Sequence, residues 1–535
     1  MNRWQEEYEH FVKDCEQAVS ISHANLRKLM TDNQDTDYGR RFQFDQIKDP
    51  ISYQQKVPLS DYADYQEAIA RMEQGETQVL TAYQVKHFIL SSGSTGQQKR
   101  IPLTEEALKR CIPPIYYATY ACVPGIEKDN GRFLHMSVFR MEPPKEETYT
   151  ILSAAYFREL YDQGTFSLKE RYAGGEALLF SKGIGNVPYV KLWIALSTPD
   201  LRGIQAFFLY DILLFLRYFE EHWKEVLHDL CIRQIPKELP LSDEVRQALL
   251  ALPALEADWV LQIQTECEKG FEGILPRLWH LFTCVSGVGG STFSAQEPML
   301  RCYLGHIPIH YFTYAASECM IAITTKMEST QNVLMPRSGF FEFIPYGKDS
   351  DNCPRRIEEL KVGTYYEVLV TNFSGLYRYR LNDVIKVTGF CGQAPVFEIC
   401  FRKNQAINIA GEKMDLGTLT KAVDLLAQRK GIKILEYSVY DEKALLPGHY
   451  QCFIETSEET TEELSLEFDH ILTELNEDYQ DLRGLGLIGA PVVSRAASGT
   501  HLQCKERFMA KQSHQKPLQY LSDPQIVAYM KERVL

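Results

Sequence analysis

A chain of 535 residues is long enough for more than one domain, and its 45% hydrophobic and 24% charged residues are typical of a folded protein. A formal net charge of −14 argues against nucleic acid as a partner, because nucleic-acid binding requires a basic surface. The 13 cysteines are odd in number and irregularly spaced, which favours reduced thiols over a disulfide framework.

The N-terminal sequence and the apolar stretches bear on localisation. The N-terminal stretch MNRWQEEYEHFVKDCEQ is charged throughout and does not resemble a signal peptide. The longest apolar stretch, at 204–219, carries Asp211 and Arg217 and is shorter than the roughly 20 residues that a membrane span needs. We predict a buried helix there, no membrane contact and a cytoplasmic protein.

The predicted elements change in character along the chain. Residues 1–75 have apolar positions at helical spacing, and QVKHFIL then predicts a strand. Residues 104–275 are predicted to be largely helical, whereas short apolar runs separated by turns predict a β-rich region from about 280. Beyond this region, helical and strand patterns alternate, which is typical of a small separate α/β unit. We therefore predict a mixed α/β protein with a domain boundary near 400–405.

Residues 91–100, SSGSTGQQKR, combine hydroxyls, glycines and a lysine directly after a predicted strand. Glycine allows backbone N–H groups to converge on one point, hydroxyls add donors for phosphate oxygens, and Lys99 supplies a compact positive charge. The spacing differs from a Walker A loop, because Gly93 and Gly96 are separated by only two residues. The pattern predicts a phosphate-binding loop, with a flexible Ser/Gly surface turn as the alternative.

A second motif is YFTYAASECMIAI at 311–323, where an apolar strand leads into a short turn that contains Glu318. A glutamate at a strand end can reach a magnesium ion, and its small neighbours allow a flat base to approach closely. A surface turn with an ordinary glutamate is the alternative.

A third motif lies in GTYYEVLVTNFSGLYRYRLNDVIKVTGF at 363–390, where Asp383 separates two apolar strand-like runs. A carboxylate in such a place is costly unless it has a partner, and two ribose hydroxyls would be suitable partners. A salt bridge with Arg378 or Arg380 is the alternative.

The motifs SSGSTGQQK, YAASE and YRYRLNDV occur here in the order found in the GH3 acyl-acid amido synthetases, a branch of the adenylate-forming superfamily. The chain resembles this family over nearly its whole length, with VPLSDYADYQEAIARMEQGE, FFEFIPY and PGHYQCFIE similar to further family landmarks. The resemblance implies the adenylate-forming ligase fold. In that fold, residues 1–401 would form a large domain with β-sheets and a β-barrel-like part, which binds ATP and the acyl substrate. Residues 402–535 would form a small mobile α/β domain.

The resemblance also implies roles for individual residues. Lys99, Glu318 and Lys516 are the expected catalytic residues, with Glu318 holding Mg²⁺ and Lys516 stabilising charge on the α-phosphate; Lys511 is a rival for the role of Lys516. Asn382 stands where the third motif usually has glycine. The residues expected to bind ATP are Ser92, Gly93, Ser94, Thr95, Lys99, Tyr314, Ala315, Ala316, Ser317, Asp383 and Arg402.

The reaction implied by the resemblance has two steps. A small carboxylic acid reacts with ATP to form an acyl-adenylate and pyrophosphate, and an amine, typically of an amino acid, then attacks the acyl-adenylate to form an amide and AMP. Two alternatives remain: a ligase that uses coenzyme A or a carrier protein as acceptor, and a catalytically silent nucleotide-binding homologue. No obligate protein partner is expected.

The identity of the acid is not fixed by these motifs. The acyl pocket is expected to be lined from residues 104–275 and 284–340, and His135 and Arg140 are candidate contacts within it. A structural role for both residues is the alternative.

Overall fold

The structure is a computed structural model of the chain, and no helix that it describes is both long enough and apolar enough to cross a membrane. The residues described are 3–90, 99–110, 132–136, 149–150, 155, 159, 172–179, 187–289, 297–347, 353–403, 407, 409, 412, 414–445, 447–458, 462–484, 488–508 and 518–535.

The elements are numbered in chain order. The α-helices are α1 (Arg3–Glu16), α2 (Ala18–Asn33), α3 (Asp37–Arg41), α4 (Pro50–Lys56), α5 (Gln66–Glu73), α6 (Gly175–Leu179), α7 (Val187–Leu196), α8 (Leu209–Ile232), α9 (Asp243–Leu250), α10 (Ala257–Glu268), α11 (Ile274–Leu278), α12 (Glu297–Leu304), α13 (Leu416–Lys430), α14 (Glu462–Leu475), α15 (Glu477–Gly484), α16 (Thr500–Phe508) and α17 (Pro524–Lys531). The strands are β1 (Val85–Leu90), β2 (Arg100–Thr104), β3 (Arg132–His135), β4 (Tyr149–Thr150), β5 (Leu201–Phe208), β6 (Cys284–Val288), β7 (Ile309–Tyr311), β8 (Thr313–Ala316), β9 (Cys319–Ile323), β10 (Asn332–Leu334), β11 (Gly339–Pro345), β12 (Tyr365–Asn372), β13 (Tyr379–Cys391), β14 (Ala394–Arg402), β15 (Ile434–Glu442), β16 (His449–Thr456) and β17 (Val492–Arg495).

The chain divides into two compact units. The first unit consists of Met1–Phe207, Leu214–Val288 and Tyr303–Glu398, and the second consists of Phe208–Leu213, Gly289–Cys302 and Ile399–Leu535. Three sheets lie mainly in the first unit, with strand orders β2-β1-β4, β3-β5-β6-β7 and β11-β12-β13-β14-β10-β9-β8. The second unit contains the sheet β15-β16-β17.

The seven-stranded sheet forms the frame of the first unit. Its strand β12, between β11 and β13, is buried at every residue after Tyr365, which is the pattern of a strand covered on both faces. Helix α2 packs against β11, and the Asn25 side chain donates hydrogen bonds of 2.8 Å to the carbonyls of Pro336 and Gly339. Side chains of β12 and β13 contact β8 and the turn that follows it, although β14, β10 and β9 stand between β13 and β8 in the strand order. These contacts show that the sheet curls.

The N-terminal segment 57–65 binds the start of β13. Ser60 forms a parallel bridge with Tyr379, and its hydroxyl donates to the carbonyl of Tyr377 at 2.7 Å. The Tyr65 hydroxyl donates to the same carbonyl and accepts from the backbone N–H of Tyr377, both at 2.9 Å. Burial raises the pKa of Tyr65 above its ordinary value, so the hydroxyl stays neutral and keeps its proton for this bond.

Most of the predicted elements are confirmed. Residues up to 75 contain the helices α1 to α5, QVKHFIL contains β1, and β6 to β14 form the β-rich region after 280. The helix predicted for 204–219 is wrong in part, because residues up to Phe208 belong to β5 and the helix begins at Leu209. Both halves of this run are apolar, and apolar sequence without periodicity does not distinguish a buried strand from a buried helix. For the same reason the largely helical prediction for 104–275 missed β3, β4 and β5.

Candidate active site

Three side chains from separate elements meet around the carboxylate of Glu318. Lys99 precedes β2, Glu318 lies in the turn between β8 and β9, and Tyr379 begins β13. The Tyr379 hydroxyl donates to Glu318 Oε1 at 3.0 Å and accepts from Lys99 Nζ at 3.0 Å. Lys99 Nζ also lies 3.8 Å from Glu318 Oε1, which places opposite charges beside each other. A buried carboxylate needs such partners, and Glu318 is only 8% exposed.

Two aromatic rings help to position Lys99. Its Nζ lies 5.6 Å from the ring centroids of both Tyr62 and Tyr379, a distance at which the faces of aromatic rings attract a cation. The Tyr62 hydroxyl accepts the backbone N–H of the next residue, Arg100, at 2.9 Å. The lysine side chain is still 30% exposed, so its ammonium group can reach an anion from solvent.

The turn that carries Glu318 is fixed by Asn372 at the end of β12. The Asn372 side-chain amide donates to the carbonyl of Glu318 at 2.7 Å, and its oxygen accepts the N–H groups of Ser374 and Leu376. Asn372 is buried, so this amide ties the two turns together away from solvent. The backbone at Glu318 is therefore held independently of the carboxylate contacts.

Asp383 lies in a bulge of β13. Glu367 of β12 is paired with Val384 and Leu369 with Arg380, so β13 has two more residues than β12 between these pairs. Bulges of this kind redirect a side chain out of the regular ladder. The Asp383 carboxylate is directed toward β8, where it accepts the Tyr314 hydroxyl at 2.7 Å.

The two arginines considered as alternative partners of Asp383 are bound to other carboxylates. Arg378 Nε lies 2.9 Å from Glu342, and Arg380 Nη2 lies 2.7 Å from Glu367. The structure therefore does not support a salt bridge with either arginine as the reason for a carboxylate at Asp383.

Asn382 adopts the left-handed backbone conformation that the bulge requires, with φ of +63°. Glycine and asparagine enter this region at little cost, whereas a β-branched residue does not. We expect Asn382→Val to lower the free energy of unfolding by about 1–2 kcal/mol and Asn382→Gly to change it by less than about 0.5 kcal/mol. Urea denaturation of both variants checks this, and equal stability of the two would contradict the strained conformation.

The structure brings some of the predicted site residues together. Lys99 lies beside Glu318, and Tyr314 is bound to Asp383. The first contact joins the turn after β8 to the residue that precedes β2 of the three-stranded sheet. The pairs Tyr314–Asp383 and Glu318–Tyr379 bridge β8 and its turn to β13 at two points four residues apart on each element. Ala315 and Ala316 end β8, Ser317 begins the turn beside Glu318, and Arg402 ends β14 in the second unit. The remaining predicted residues lie outside the described residues: Ser92, Gly93, Ser94, Thr95, Arg140, Lys511 and Lys516.

Two residues of this cluster, Tyr379 and Asn372, had no role in the sequence-based prediction. Tyr379 belongs to the motif YRYRLNDV and Asn372 to the turn TNFSG, so both were available as signals. Tyr377 and Tyr379 lie two residues apart, so strand alternation predicts the same face for both and does not tell which one reaches Glu318. The Tyr377 hydroxyl instead donates to the carbonyl of Leu80 at 2.8 Å.

The donor set bears on a possible metal. Among the residues that the structure describes, no group of three or more His, Cys, Asp or Glu side chains is arranged to hold a metal ion. Mg²⁺ in nucleotide sites needs only one or two carboxylates, because phosphate oxygens and waters complete its shell. The Glu318 carboxylate fits that requirement.

Three family models match the chain in sequence order. They describe the GH3 family N-terminal domain, central domain and C-terminal domain, and they match residues 7–309, 332–402 and 418–520. The chain belongs to the GH3 family. This GH3 chain is 28% identical over 459 residues to a probable indole-3-acetic acid-amido synthetase, GH3.1, of Arabidopsis thaliana, an alignment that covers 82% of this chain and 76% of that protein.

Solved structures show the fold of the GH3 chain. The acyl acid amido synthetase AtGH3.15 in complex with 2,4-DB superposes with a TM-score of 0.87 at 22% identity, covering 100% of this chain and 96% of that one. A 2-hydroxyisobutyryl-CoA ligase in the postadenylation state superposes with a TM-score of 0.52 at 12% identity, covering 98% and 90%. The predicted family resemblance and the adenylate-forming ligase fold are therefore confirmed.

Proposed function

We propose that this GH3 chain is an ATP-dependent acyl-acid amido synthetase. The proposal rests on two contacts that join β13 to β8 and the turn after β8. Through these contacts the Asp383 carboxylate and the Lys99–Glu318 pair belong to one connected group of side chains in a member of the GH3 family. A carboxylate that accepts two ribose hydroxyls, together with a cation for the phosphates, is a suitable donor and acceptor set for ATP. Related proteins named as indole-3-acetic acid-amido synthetases support the reaction class.

Each residue has a definite task in this proposal. Asp383 binds the ribose, the Tyr314 hydroxyl fixes the orientation of that carboxylate, and Lys99 stabilises negative charge on the phosphates. Glu318 would hold Mg²⁺, which when bound supplies additional positive charge for the phosphate oxygens. The protein aligns the carboxylate of the acid with the α-phosphate, so that a C–O–P bond forms and pyrophosphate leaves.

The second half-reaction replaces AMP on the acyl carbon by an amine. The amine attacks the acyl-adenylate, an amide bond forms, and AMP departs with the electron pair of the broken C–O bond while the amine loses a proton. We propose a small carboxylic acid and an amino acid as the substrates. We propose the predicted roles unchanged for the other site residues, which are Ser92, Gly93, Ser94, Thr95, Ala315, Ala316, Ser317, Arg402 and Lys516, with Lys511 as the rival of Lys516. The proposed domains are 1–401 and 402–535, with a hinge near 400–405.

The test of this function is ATP–pyrophosphate exchange with a panel of aromatic, indolic and aliphatic acids, followed by product analysis with the twenty amino acids. We expect at least one acid to raise exchange about tenfold or more above the acid-free background, and the product to be an amide with release of AMP. Formation of a thioester with coenzyme A, without any amide, would instead favour a coenzyme A ligase. ATP binding without exchange for any acid would favour a silent homologue.

A further inference from the structure

The turn between β13 and β14 lies against the end of α1. The backbone N–H of Gln393 donates to the carbonyl of Cys15 at 2.8 Å. The Gln393 side-chain oxygen accepts the N–H of Val19, near the start of α2, at 3.1 Å. Gln393 therefore fastens this turn to the junction of α1 and α2.

Glycine at position 392 permits this close approach. Gly392 has a φ of +56°, and a Cβ atom at this position would lie 2.8 Å from both the Cys15 carbonyl oxygen and the Glu16 Cα atom. A larger residue would thus collide with the backbone of α1 and would also be strained by the positive φ. Backbone contacts therefore fix the turn on α1 independently of the neighbouring cysteine side chains.

Two cysteine thiols meet beside these backbone contacts. Cys15 lies in the last turn of α1 and is fully buried, whereas Cys391 ends β13 and is half-buried. The Cys15 thiol is hydrogen-bonded to the Cys391 thiol, and both cysteines are free in this structure. A disulfide requires backbones that lie close together and two sulfurs that can approach to about 2.05 Å. The contacts of Gln393 and Gly392 meet the first requirement, and the bonded thiols are placed to meet the second.

The surroundings of the two thiols differ. Burial raises the pKa of Cys15 well above its ordinary value, and the Cys391 thiol and the carboxylates of Asp14 and Glu16 raise this pKa further. Cys15 therefore stays protonated and unreactive toward an oxidant in solvent, because the thiolate is the reactive form of cysteine. Cys391 is the more accessible sulfur, since it is only half-buried and precedes two exposed residues of the turn.

We propose that Cys15 and Cys391 form a redox-responsive pair, which hydrogen peroxide oxidises to a disulfide between α1 and β13. In the first step the Cys391 sulfur attacks one peroxide oxygen, the O–O bond breaks, and a sulfenic acid and water form. In the second step the Cys15 sulfur displaces the hydroxyl group of the sulfenic acid, so an S–S bond forms and the S–O bond breaks. The departing hydroxide takes the Cys15 proton as a second water, and the two electrons lost by the thiols reduce the peroxide.

The disulfide would tie a terminal helix to the central sheet of the first unit. Terminal elements open first unless they are held down, and α1 is the first helix of the described chain. The bond would close a loop that spans most of the first unit, and disulfides across long loops constrain the unfolded chain most strongly. Oxidation is therefore expected to raise the unfolding temperature by about 3–6 °C. Neither cysteine belongs to the proposed nucleotide site, so this response is tested without reference to adenylation.

The experiment maps disulfides in the whole protein after treatment with hydrogen peroxide. Remaining thiols are blocked with iodoacetamide, and tryptic peptides are analysed by mass spectrometry before and after reduction with dithiothreitol. We expect peptides 14–27 and 387–402 to be linked, with a mass two hydrogen atoms below their sum, and to separate on reduction. The second peptide also contains Cys400, so Cys400→Ser is the matched control. Cys400→Ser should keep the link, whereas Cys391→Ser should abolish it.

Two further variants test the order of the steps. Cys15→Ser should leave Cys391 as a sulfenic acid that dimedone traps, and Cys15→Ala provides the same test if the serine variant does not fold. Cys391→Ser should leave Cys15 reduced, because the buried thiol does not react alone. The oxidised wild type should unfold about 3–6 °C above its reduced form, a shift that both variants should lack.

The exposed Cys353 sets the scale of oxidation. The peroxide concentration is raised until Cys353 is oxidised in the folded protein. Oxidation of Cys353 while peptides 14–27 and 387–402 stay separate would overturn the inference. A link that forms only after unfolding in urea, or only between two molecules, would also overturn it.

Discussion

Asp383→Ala is expected to lower kcat/KM for ATP in pyrophosphate exchange by roughly 10²- to 10⁴-fold, since each bond from a ribose hydroxyl to a carboxylate contributes about 1.5–3 kcal/mol. The loss should be concentrated in the affinity for ATP, because the ribose is not the reacting group. Measurement of exchange over a range of ATP concentrations, at a fixed concentration of a working acid, gives this quantity. Asp383→Asn keeps the shape of the side chain and should fall between the wild type and the alanine variant.

The control for Asp383 is another aspartate bound to a tyrosine. Asp32 in α2 accepts the Tyr83 hydroxyl at 2.5 Å and the Lys28 ammonium at 2.7 Å, and Asp32→Ala should leave ATP kinetics within about twofold. A nucleotide without ribose hydroxyls, 2′,3′-dideoxy-ATP, sharpens the test. The wild type should discriminate against it strongly, and Asp383→Ala should not discriminate. If both enzymes lose the same factor with this nucleotide, the carboxylate does not bind the ribose.

Glu342→Ala is expected to destabilise the first unit by about 3–5 kcal/mol, because it leaves a buried guanidinium without its carboxylate. Arg378 and Glu342 are 6% and 1% exposed in their side chains and form two bonds, of 2.9 and 3.0 Å. Arg378 also donates to the carbonyls of Gln54 and Val57, so the same guanidinium links α4 and the segment 57–65 to β13. Equilibrium unfolding in urea, followed by tryptophan fluorescence, measures the change.

An exposed ion pair provides the comparison for Glu342. Glu359 lies 3.0 Å from Arg356, with side chains 39% and 22% exposed, and Glu359→Ala should cost less than about 1 kcal/mol. A similarly small cost for Glu342→Ala would show that Arg378 finds a replacement partner or water. In that case the pair is not the main link between β11 and β13.

The charged residues of the candidate site could be predicted from the sequence, whereas the contacts between them could not. Lys99 stands out because it follows a loop rich in glycine and hydroxyl residues. Glu318 and Asp383 stand out because each is a carboxylate at the end of, or between, apolar runs, where a solvated side chain is not expected. Tyr379 could not be assigned, because its contacts depend on the curl of the seven-stranded sheet, which no local pattern encodes. The Asp383 bulge has the same origin, since only the pairing of β12 with β13 reveals the two additional residues.

The apolar run at 204–219 illustrates a different limit. The prediction of one helix there failed in part, since burial of a strand and of the following helix produces the same composition.

The contact of the segment 57–65 with β13 also constrains the order in which the protein can be assembled. Ser60 binds the backbone of Tyr377, a partner 317 residues later in the chain. At a synthesis rate of about 5–20 residues per second, the segment waits roughly 16–63 s for that partner to leave the ribosome. Tyr379 and Asp383 follow directly after it, so the proposed nucleotide site is completed late and an unfinished chain lacks both residues. Ordering of the early helices is correspondingly a long-range event, which favours slow folding and a need for protection of their apolar faces in the interval.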